Sequence, residues 1–316
     1  MTHVPAVAQA ATPSEAATRP APTHAVMQLR RTHHWTGWAY LAPGILVFGF
    51  TVAAPLVYAL WVSFYSWDGV THATWVGLHN YVTVFTDASI GKAAIQTLIL
   101  FVFYTGLPIV FGTVYAAVIA RYRIALGAMW RTILFLPQVL SVVVIGVVWQ
   151  WLLQMNGPIN NVLRSIGLGS LARPWLGDFT LALPAEGIIG TWILTGLCMV
   201  LLLAGAQLID PQLYDAANID GAGPIKQFLN VTVPGLRNVI IVCVVLTAAM
   251  CVNNFAIVWV TTHGGPGTQT EVISTALYRR AFIFSDLGTA SALAVVVFAI
   301  MAIVAGLTSR RSESEQ

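Results

Sequence analysis

The segment Leu213–Gly235 reads LYDAANIDGAGPIKQFLNVTVPG, and it interrupts a very apolar chain. It contains two short stretches with helical spacing, joined across Gly221 and Gly223, and neither is long enough to cross a bilayer. Because glycine readily adopts the conformations that end helices, the sequence predicts a break at these two positions. Together with the three residues before it, this segment forms the insert, residues 210–235.

Signals for helix boundaries flank both stretches. Asp210 followed by Pro211 marks a helix start, because the carboxylate can accept free amide hydrogens and proline fits the first helical position. Pro224 can open a second helix in the same way, and Pro234 is expected to stop it just before the next apolar run. The insert is therefore predicted to be a compact helix-turn-helix.

The first helix of the insert has one face of small and apolar residues and carries only acidic charges. Leu213, Ala216 and Ala217 share one face, and small residues there allow close approach of a partner. The charged residues of this helix are all acidic: Asp210, Asp215 and Asp220. A helix lying on anionic headgroups usually carries lysine and arginine instead. A loop on the membrane surface remains an alternative, but acidic residues would be repelled by an anionic leaflet, so a docking element for a protein is the better fit.

The composition indicates a membrane protein. The 316 residues are 57% hydrophobic and 9% charged, with a mean hydropathy of +0.77. A soluble domain carries about 25% charged residues. The net charge of +3 is not concentrated in a basic patch, so a nucleic-acid partner is not expected.

Six uncharged runs are long enough to cross a bilayer as helices, which need about 20 residues each. They are Tyr40–Phe64, Ala93–Ala120, Thr132–Met155, Gly187–Leu208, Asn238–Thr262 and Leu287–Thr308. Strands of a membrane barrel would be about half as long and would alternate in polarity. The predicted class is an all-α membrane protein with six transmembrane helices. These runs contain no Asp, Glu or His.

The distribution of basic residues predicts the orientation. Ten of the fifteen Lys and Arg residues lie on the side of the insert and both termini, and five lie on the other. Cytoplasmic loops carry the excess of positive charge, so a multi-pass protein of the plasma (inner) membrane with both ends cytoplasmic is expected. Residues 1–37 are predicted to be a disordered tail, residues 38–309 the transmembrane domain, and residues 310–316 a short C-terminal tail.

The insert resembles the EAA loop of the permease subunits of binding-protein-dependent ABC importers, whose pattern is roughly E-A-A-x-x-D-G-A followed by L-P. The matching residues are Tyr214, Ala216, Ala217, Asp220, Gly221, Ala222, Phe228 and Pro234. Asp215 stands where the family has glutamate, and Val233 where it has leucine. Three further segments resemble the carbohydrate-uptake branch of the maltose and glycerol-phosphate permease type: Trp75–Phe85, His263–Gly267 and Leu277–Phe298.

The resemblance implies a type I ABC importer permease fold with a cytoplasmic coupling helix. In the family this loop sits in a cleft of a cytoplasmic ATPase dimer, and the expected partners also include a second permease, an extracytoplasmic solute-binding protein and a sugar substrate. The sequence has no G-x-x-x-x-G-K-[ST] phosphate loop. ATP and Mg are therefore expected on the partner ATPase, with no cofactor, metal or catalytic residue in this chain.

The resemblance also implies positions that contact the solute about midway through the bilayer. These align with Gln138, Val142, Gly190, Ile193, Leu194, Cys251 and Asn254. Asn254 keeps the residue of the maltose permease, and Gln138 can bond a hydroxyl. From the residues alone, polar side chains in spans either line a cavity or join helices to one another, and both interpretations remain open for Asn253 and Asn254.

Two other classes of function were weighed against the sequence. A self-contained secondary transporter or channel subunit would need ionisable side chains inside its spans for ion or proton coupling. A membrane-embedded enzyme would need a nucleophile with a base, or metal ligands, at the same depth. The six predicted spans offer neither set, so both alternatives are disfavoured.

Overall fold

The computed structural model describes residues 34–121 and 127–313. The predicted tail lies outside the described residues up to position 33, whereas residues 34–37 already belong to the first helix. By internal contacts the chain divides into two units, the first ending at Ala53 and the second beginning at Ala54.

The described residues are mainly helical. The α-helices are α1 His34–Phe48, α2 Ala54–Val62, α3 His79–Thr86, α4 Ala88–Phe101, α5 Leu107–Arg121, α6 Gly127–Phe135, α7 Val142–Leu152, α8 Pro158–Ser165, α9 Ala182–Ala206, α10 Pro211–Ile219, α11 Pro224–Gln227, α12 Val233–Gly235, α13 Arg237–Val252, α14 Phe255–Thr261, α15 Ile273–Tyr278 and α16 Leu287–Glu313. The π-helical turns are Gly49–Ala53, Val102–Gly106, Phe228–Thr232 and Arg279–Ile283, and the 3-10 turns are Leu136–Gln138 and Gly169–Leu171. The strands β1 Tyr65–Ser66 and β2 Thr74–Trp75 form one antiparallel pair.

Four helical runs are long and apolar enough to cross a bilayer without a break. They are Tyr40–Val62, Ala88–Ile119, Ala182–Ala206 and Leu287–Gly306. Two further pairs of helices qualify only when each bent pair is taken as one span, namely Ala128–Gln138 with Val142–Leu152 and Pro224–Gly235 with Arg237–Val252. Counted so, the described residues hold up to six spans, in agreement with the predicted all-α class.

Two of the predicted spans are interrupted, one at a proline where the sequence predicts a kink and one where it predicts a continuous helix. The run Thr132–Met155 bends by 97° at a 3-10 turn that contains Pro137, a residue at which a kink is expected. The run Asn238–Thr262 is interrupted at Asn253 and Asn254, between α13 and α14. Backbone outside a helix is tolerated at membrane depth only where it is buried in protein or lines a cavity.

Helix α9 is the most extensively buried of the four unbroken spans, and α5 packs along it. Glycines make this close contact possible. A Cβ atom added at Gly112 of α5 would lie 2.9 Å from Cys198 Cβ, and one at Gly187 of α9 would lie 2.4 Å from the ring of Phe103, in the π-helical turn before α5. Small residues at such contacts allow backbones to approach closely, which favours helix association in membranes.

The prediction that the spans contain no acidic residue is wrong. Helix α9 begins at Ala182, five residues before the predicted span, and therefore includes Glu186, which is fully buried. A hydropathy run stops at a charged residue, whereas the helix continues because its backbone hydrogen bonds do not depend on that side chain. Asp178 accepts hydrogen bonds from the backbone nitrogens of Thr180 and Leu181 just before the helix start.

The end of the bundle opposite the insert holds the connections after the first, third and fifth spans. Here the backbone nitrogen of Leu287 donates to Trp67 O at 3.0 Å. Asp87 accepts a hydrogen bond from the Ser89 hydroxyl and pairs with Arg280. These interactions outweigh partial burial and lower the pKa of Asp87 to about 2. Asp87 therefore stays ionised near neutral pH and ties the start of α4 to the segment before α16.

Candidate functional site

The insert begins as its sequence predicts. Pro211 is the first residue of α10, and the side chain of Asp210 accepts a hydrogen bond from the backbone nitrogen of Gln212 at 2.9 Å. Pro224 likewise opens α11. The helix does not stop at Pro234, however. This residue lies inside α12, and the run from Pro224 to Gly235 ends one residue later, bent by 68° from α13. The π-helical turn Phe228–Thr232 precedes it, and such turns change the hydrogen-bond register within a helical run.

Gly221 ends α10 in a left-handed conformation, with φ of +71°. The backbone nitrogen of Ala222 donates to Ala217 O at 2.9 Å, and that of Gly221 donates to Asn218 O at 3.0 Å. This pair of bonds is the Schellman motif, in which glycine is favoured because it avoids the Cβ penalty at positive φ. The predicted break at Gly221 is confirmed.

Two side-chain contacts hold the halves of the insert together. The amide of Gln227, which is 1% exposed, donates to Asn218 Oδ1 and to Ala222 O. The hydroxyls of Tyr214 and Thr232 are 3.0 Å apart and share a hydrogen bond. These links join α10 to the segment after Pro224, so the insert is one structural piece.

The insert exposes several large apolar side chains. Exposed fractions are 54% for Leu213, 87% for Ile219, 76% for Ile225 and 56% for Leu229. The predicted coupling residues Asp215, Ala216, Asp220, Gly221 and Pro234 are also exposed, whereas Tyr214, Ala217 and Ala222 are half-buried. Contiguous exposed apolar side chains rimmed by polar ones mark interaction sites.

A cavity of about 630 Å³ lies behind the insert. Its walls are the last turns of α5, the end of α9 and residues of the insert, including Tyr214, Asp215 and Ile225. The insert is thus attached at both ends of its chain, and a cavity separates part of its inner side from α5.

The predicted solute-path residues lie around the middle of α9. Gln138, in the break between α6 and α7, donates to Ile193 O at 2.6 Å. Asn254 is 6% exposed and lies at the break between α13 and α14, next to the hydroxyl of Tyr104. A Cβ atom added at Gly190 would lie 2.0 Å from the Tyr104 ring. Transporter solute sites are often formed where helices are discontinuous.

The remaining path residues differ in their surroundings. Leu194 and Cys251 belong to one buried cluster with Tyr104, whereas Val142 is 43% exposed. Among the described residues, the amide nitrogen of Asn254 and the hydroxyl of Tyr104 are buried without a hydrogen-bond partner. Asn253, by contrast, is exposed and bonds Ala249 O on its own helix. A direct solute contact for this set stays a prediction.

Sequence reasoning missed Tyr104 as a member of this group. It lies in the π-helical turn Val102–Gly106, and such turns occur frequently at functional sites. The sequence does contain a signal for Tyr104. It is a tyrosine in the middle of an apolar run, and a buried tyrosine hydroxyl needs a hydrogen-bond partner.

The geometry described so far is that of a helical membrane protein with an exposed apolar loop and broken spans. Residues 109–312 match the family model described as "Binding-protein-dependent transport system inner membrane component". The chain belongs to this family.

Individual relatives cover most of the chain. The "Probable ABC transporter permease protein YurN" of Bacillus subtilis is 34% identical over 83% of this chain and 91% of that protein. The "Sulfoquinovosyl glycerol transport system permease protein SmoG" of Agrobacterium fabrum is 28% identical over 87% of this chain and 93% of its own length.

A solved structure shares the fold. It is the bacterial alginate ABC transporter in complex with an alginate pentasaccharide-bound periplasmic protein, and one of its chains aligns with a TM-score of 0.73 at 23% identity. The alignment covers 88% of this chain and 94% of that one. The chain therefore has the fold of an ABC importer permease.

Proposed function

We propose that this chain is the permease subunit of an ATP-driven importer for a sugar or sugar-like solute, and that the insert couples it to a separate ATPase. The observation that carries the proposal is the insert itself. It is a helix-turn-helix, closed by a Schellman turn at Gly221 and linked by a hydrogen bond between Tyr214 and Thr232, whose exposed surface is apolar and acidic. A helix laid in a groove through such a face is a common mode of recognition between proteins.

The family description and the similar solved structure support a set of proposed partners. They are a second permease, a cytoplasmic ATPase dimer that binds ATP and Mg, and an extracytoplasmic solute-binding protein. The family description names binding-protein-dependent transport, and the alginate transporter was solved with its periplasmic protein. The insert and both chain ends are proposed to face the cytoplasm, as the excess of basic residues on that side predicts.

A sugar-like substrate is supported by the relatives and by the chemistry of the path. One relative is named as a sulfoquinovosyl glycerol transport permease, and the similar solved structure is an alginate ABC transporter. Around α9, the amides of Gln138 and Asn254 and the hydroxyl of Tyr104 are neutral groups that can bond hydroxyls. A self-contained secondary transporter is the weaker proposal. Glu186 removes the sequence argument against it, but the family description names binding-protein-dependent transport.

Replacement of Asn254 by leucine tests the path. We expect ATP-dependent uptake in proteoliposomes to fall about tenfold or more, because an unpaired buried polar group costs about 1–3 kcal/mol. Yield of the complex and its basal ATPase rate should stay near those of the wild type. The matched control is Asn253→Leu, which removes an exposed amide bonded only within its own helix and should retain uptake.

The alternative role for Asn254 is to join helices. If Asn254→Leu prevents assembly of the complex, Asn254 stabilises the contact between helices and does not bind the solute. Equal loss of uptake in both variants would contradict the assignment of Asn254 to the path. If the wild-type complex takes up none of the tested sugars in an ATP-dependent way, the proposed function itself is wrong.

A further inference from the structure

Glu186 is a buried carboxyl group in an apolar part of the bundle. Its neighbours Ala185 and Ile189 on α9 belong to a cluster that also includes Ile257 and Val258 of α14. Among the described residues no basic side chain pairs with Glu186, and its Oε2 atom has no hydrogen-bond partner. An isolated buried charge is very costly, and such a group neutralises instead.

Hydrogen-bond counting at Thr261 points to the same state. The Thr261 hydroxyl lies within hydrogen-bonding distance of both Glu186 Oε1 and Ile257 O. A hydroxyl has one proton to donate but can also accept. If Thr261 donates to Ile257 O, which can only accept, then the bond to Glu186 needs a proton on the carboxyl group.

The same hydrogen-bond counting applies to the next residue, Thr262. The Thr262 hydroxyl lies beside Glu186 and 2.7 Å from Thr270 Oγ1, and the Thr270 hydroxyl donates to Gly265 O at 2.7 Å. Because Gly265 O takes the proton of Thr270, the bond between the two threonines uses the proton of Thr262. The Thr262 hydroxyl therefore donates away from Glu186, to Thr270 or to Val258 O at 3.1 Å. With Thr261 donating to Ile257 O, the proton of the bond between Thr261 and Glu186 comes from the carboxyl group.

Thr261 and Thr262 belong to the wall of a second cavity, at the end of the bundle opposite the insert. Its volume is about 390 Å³. The lining includes Thr261, Thr262, Gly265 and Pro266 on one side and Gln150 and Gln154 on the other. The amide of Gln150 donates to Thr261 O at 3.2 Å, so this wall is fixed from α7 as well as from α9.

We propose that Glu186 is a neutral carboxylic acid and a positioning residue, whose proton holds the end of α14 and the following loop against α9. It thereby sets the wall of the 390 Å³ cavity, through which a hydroxyl-bearing solute enters the path. The role of Glu186 in solute entry rests on the proposed function, whereas the protonation state of its carboxyl group does not. Glutamine can replace the acid as a donor, but leucine cannot.

Infrared difference spectroscopy of the purified complex tests the protonation state directly. At neutral pH the wild type should show the carbonyl band of a protonated carboxylic acid, and Glu186→Gln should remove it. The matched control is Glu271→Gln. Glu271 is also buried but pairs with Arg279 at 3.4 Å, so its replacement should leave that band unchanged. A wild-type spectrum without a band assignable to Glu186 would overturn the proposal.

Uptake measurements test the positioning role. Glu186→Gln should transport like the wild type, whereas Glu186→Leu and Thr261→Val should raise the KM for uptake about fivefold, the effect of one lost hydrogen bond. If Glu186→Gln is as defective as Glu186→Leu, the carboxylate charge matters and the proposal is wrong. A complex with the infrared band but without any ATP-dependent uptake would refute the proposed function and leave the protonated acid in place.

Discussion

Gly221→Val is expected to abolish uptake, because Gly221 holds a backbone conformation that valine cannot adopt cheaply. With φ at +71° the residue closes the Schellman turn between α10 and α11. A β-branched residue at such a position is strained, at a cost on the order of 1–3 kcal/mol. Strain of that size shifts the turn and separates Asp215 and Ala216 from the second half of the insert.

The measurement is co-purification of the ATPase subunit together with ATP-dependent uptake in vesicles. Loss of the ATPase, or ATP hydrolysis without uptake, is the expected outcome. Gly223→Val is the matched control. An added Cβ meets nothing within 4 Å at either glycine, but Gly223 has φ of −68° and extended ψ, which valine adopts readily. Normal ATPase binding and uptake in both variants would mean that the geometry of this turn does not matter for coupling.

Gly196→Ala is expected to destabilise the bundle strongly. A Cβ atom added at Gly196 of α9 would lie 2.0 Å from Leu134 O and 3.0 Å from Phe135 Cα. Overpacking usually costs about 1–3 kcal/mol and sometimes more. Here the obstruction is backbone of α6 rather than a flexible side chain, so relief requires α6 and α9 to move apart.

Thermal unfolding of the detergent-solubilised complex and its yield measure this effect. We expect Gly196→Ala to unfold at a clearly lower temperature or to fail to assemble. Gly91→Ala in α4 is the matched control, since an added Cβ there meets nothing within 4 Å and alanine favours helix over glycine. Equal stability of the two variants would show that α6 does not lie as close to α9 as the structure places it.

The insert was predictable from sequence because its determinants are local. A capping carboxylate at Asp210, prolines at helix starts and a glycine at positive φ act within a few residues of themselves. The structure confirms each of these signals. The exception is Pro234, where the continuation of the helix depends on a π-helical turn that no local rule predicts.

The breaks in the spans and the buried acid were not predictable in the same way. Pro137 signals the bend beside Gln138, but hydropathy does not show where a run without proline bends, so the placement of Asn254 at a break required the tertiary structure. Glu186 was placed outside the span because charge ends a hydropathy run. Its acceptance inside α9 depends on Thr261, which is 75 residues further along the chain.

Photo-crosslinking from the insert tests the central claim most directly, namely that this surface docks on a separate ATPase. A photoreactive amino acid replaces Ile219, which is 87% exposed on the insert, and in a control replaces Val70, which is 91% exposed at the opposite end of the bundle. The account predicts a covalent adduct with the ATPase subunit from position 219 and none from position 70. An assembled, transporting complex that gives no ATPase adduct from position 219, or gives one from position 70, would contradict it.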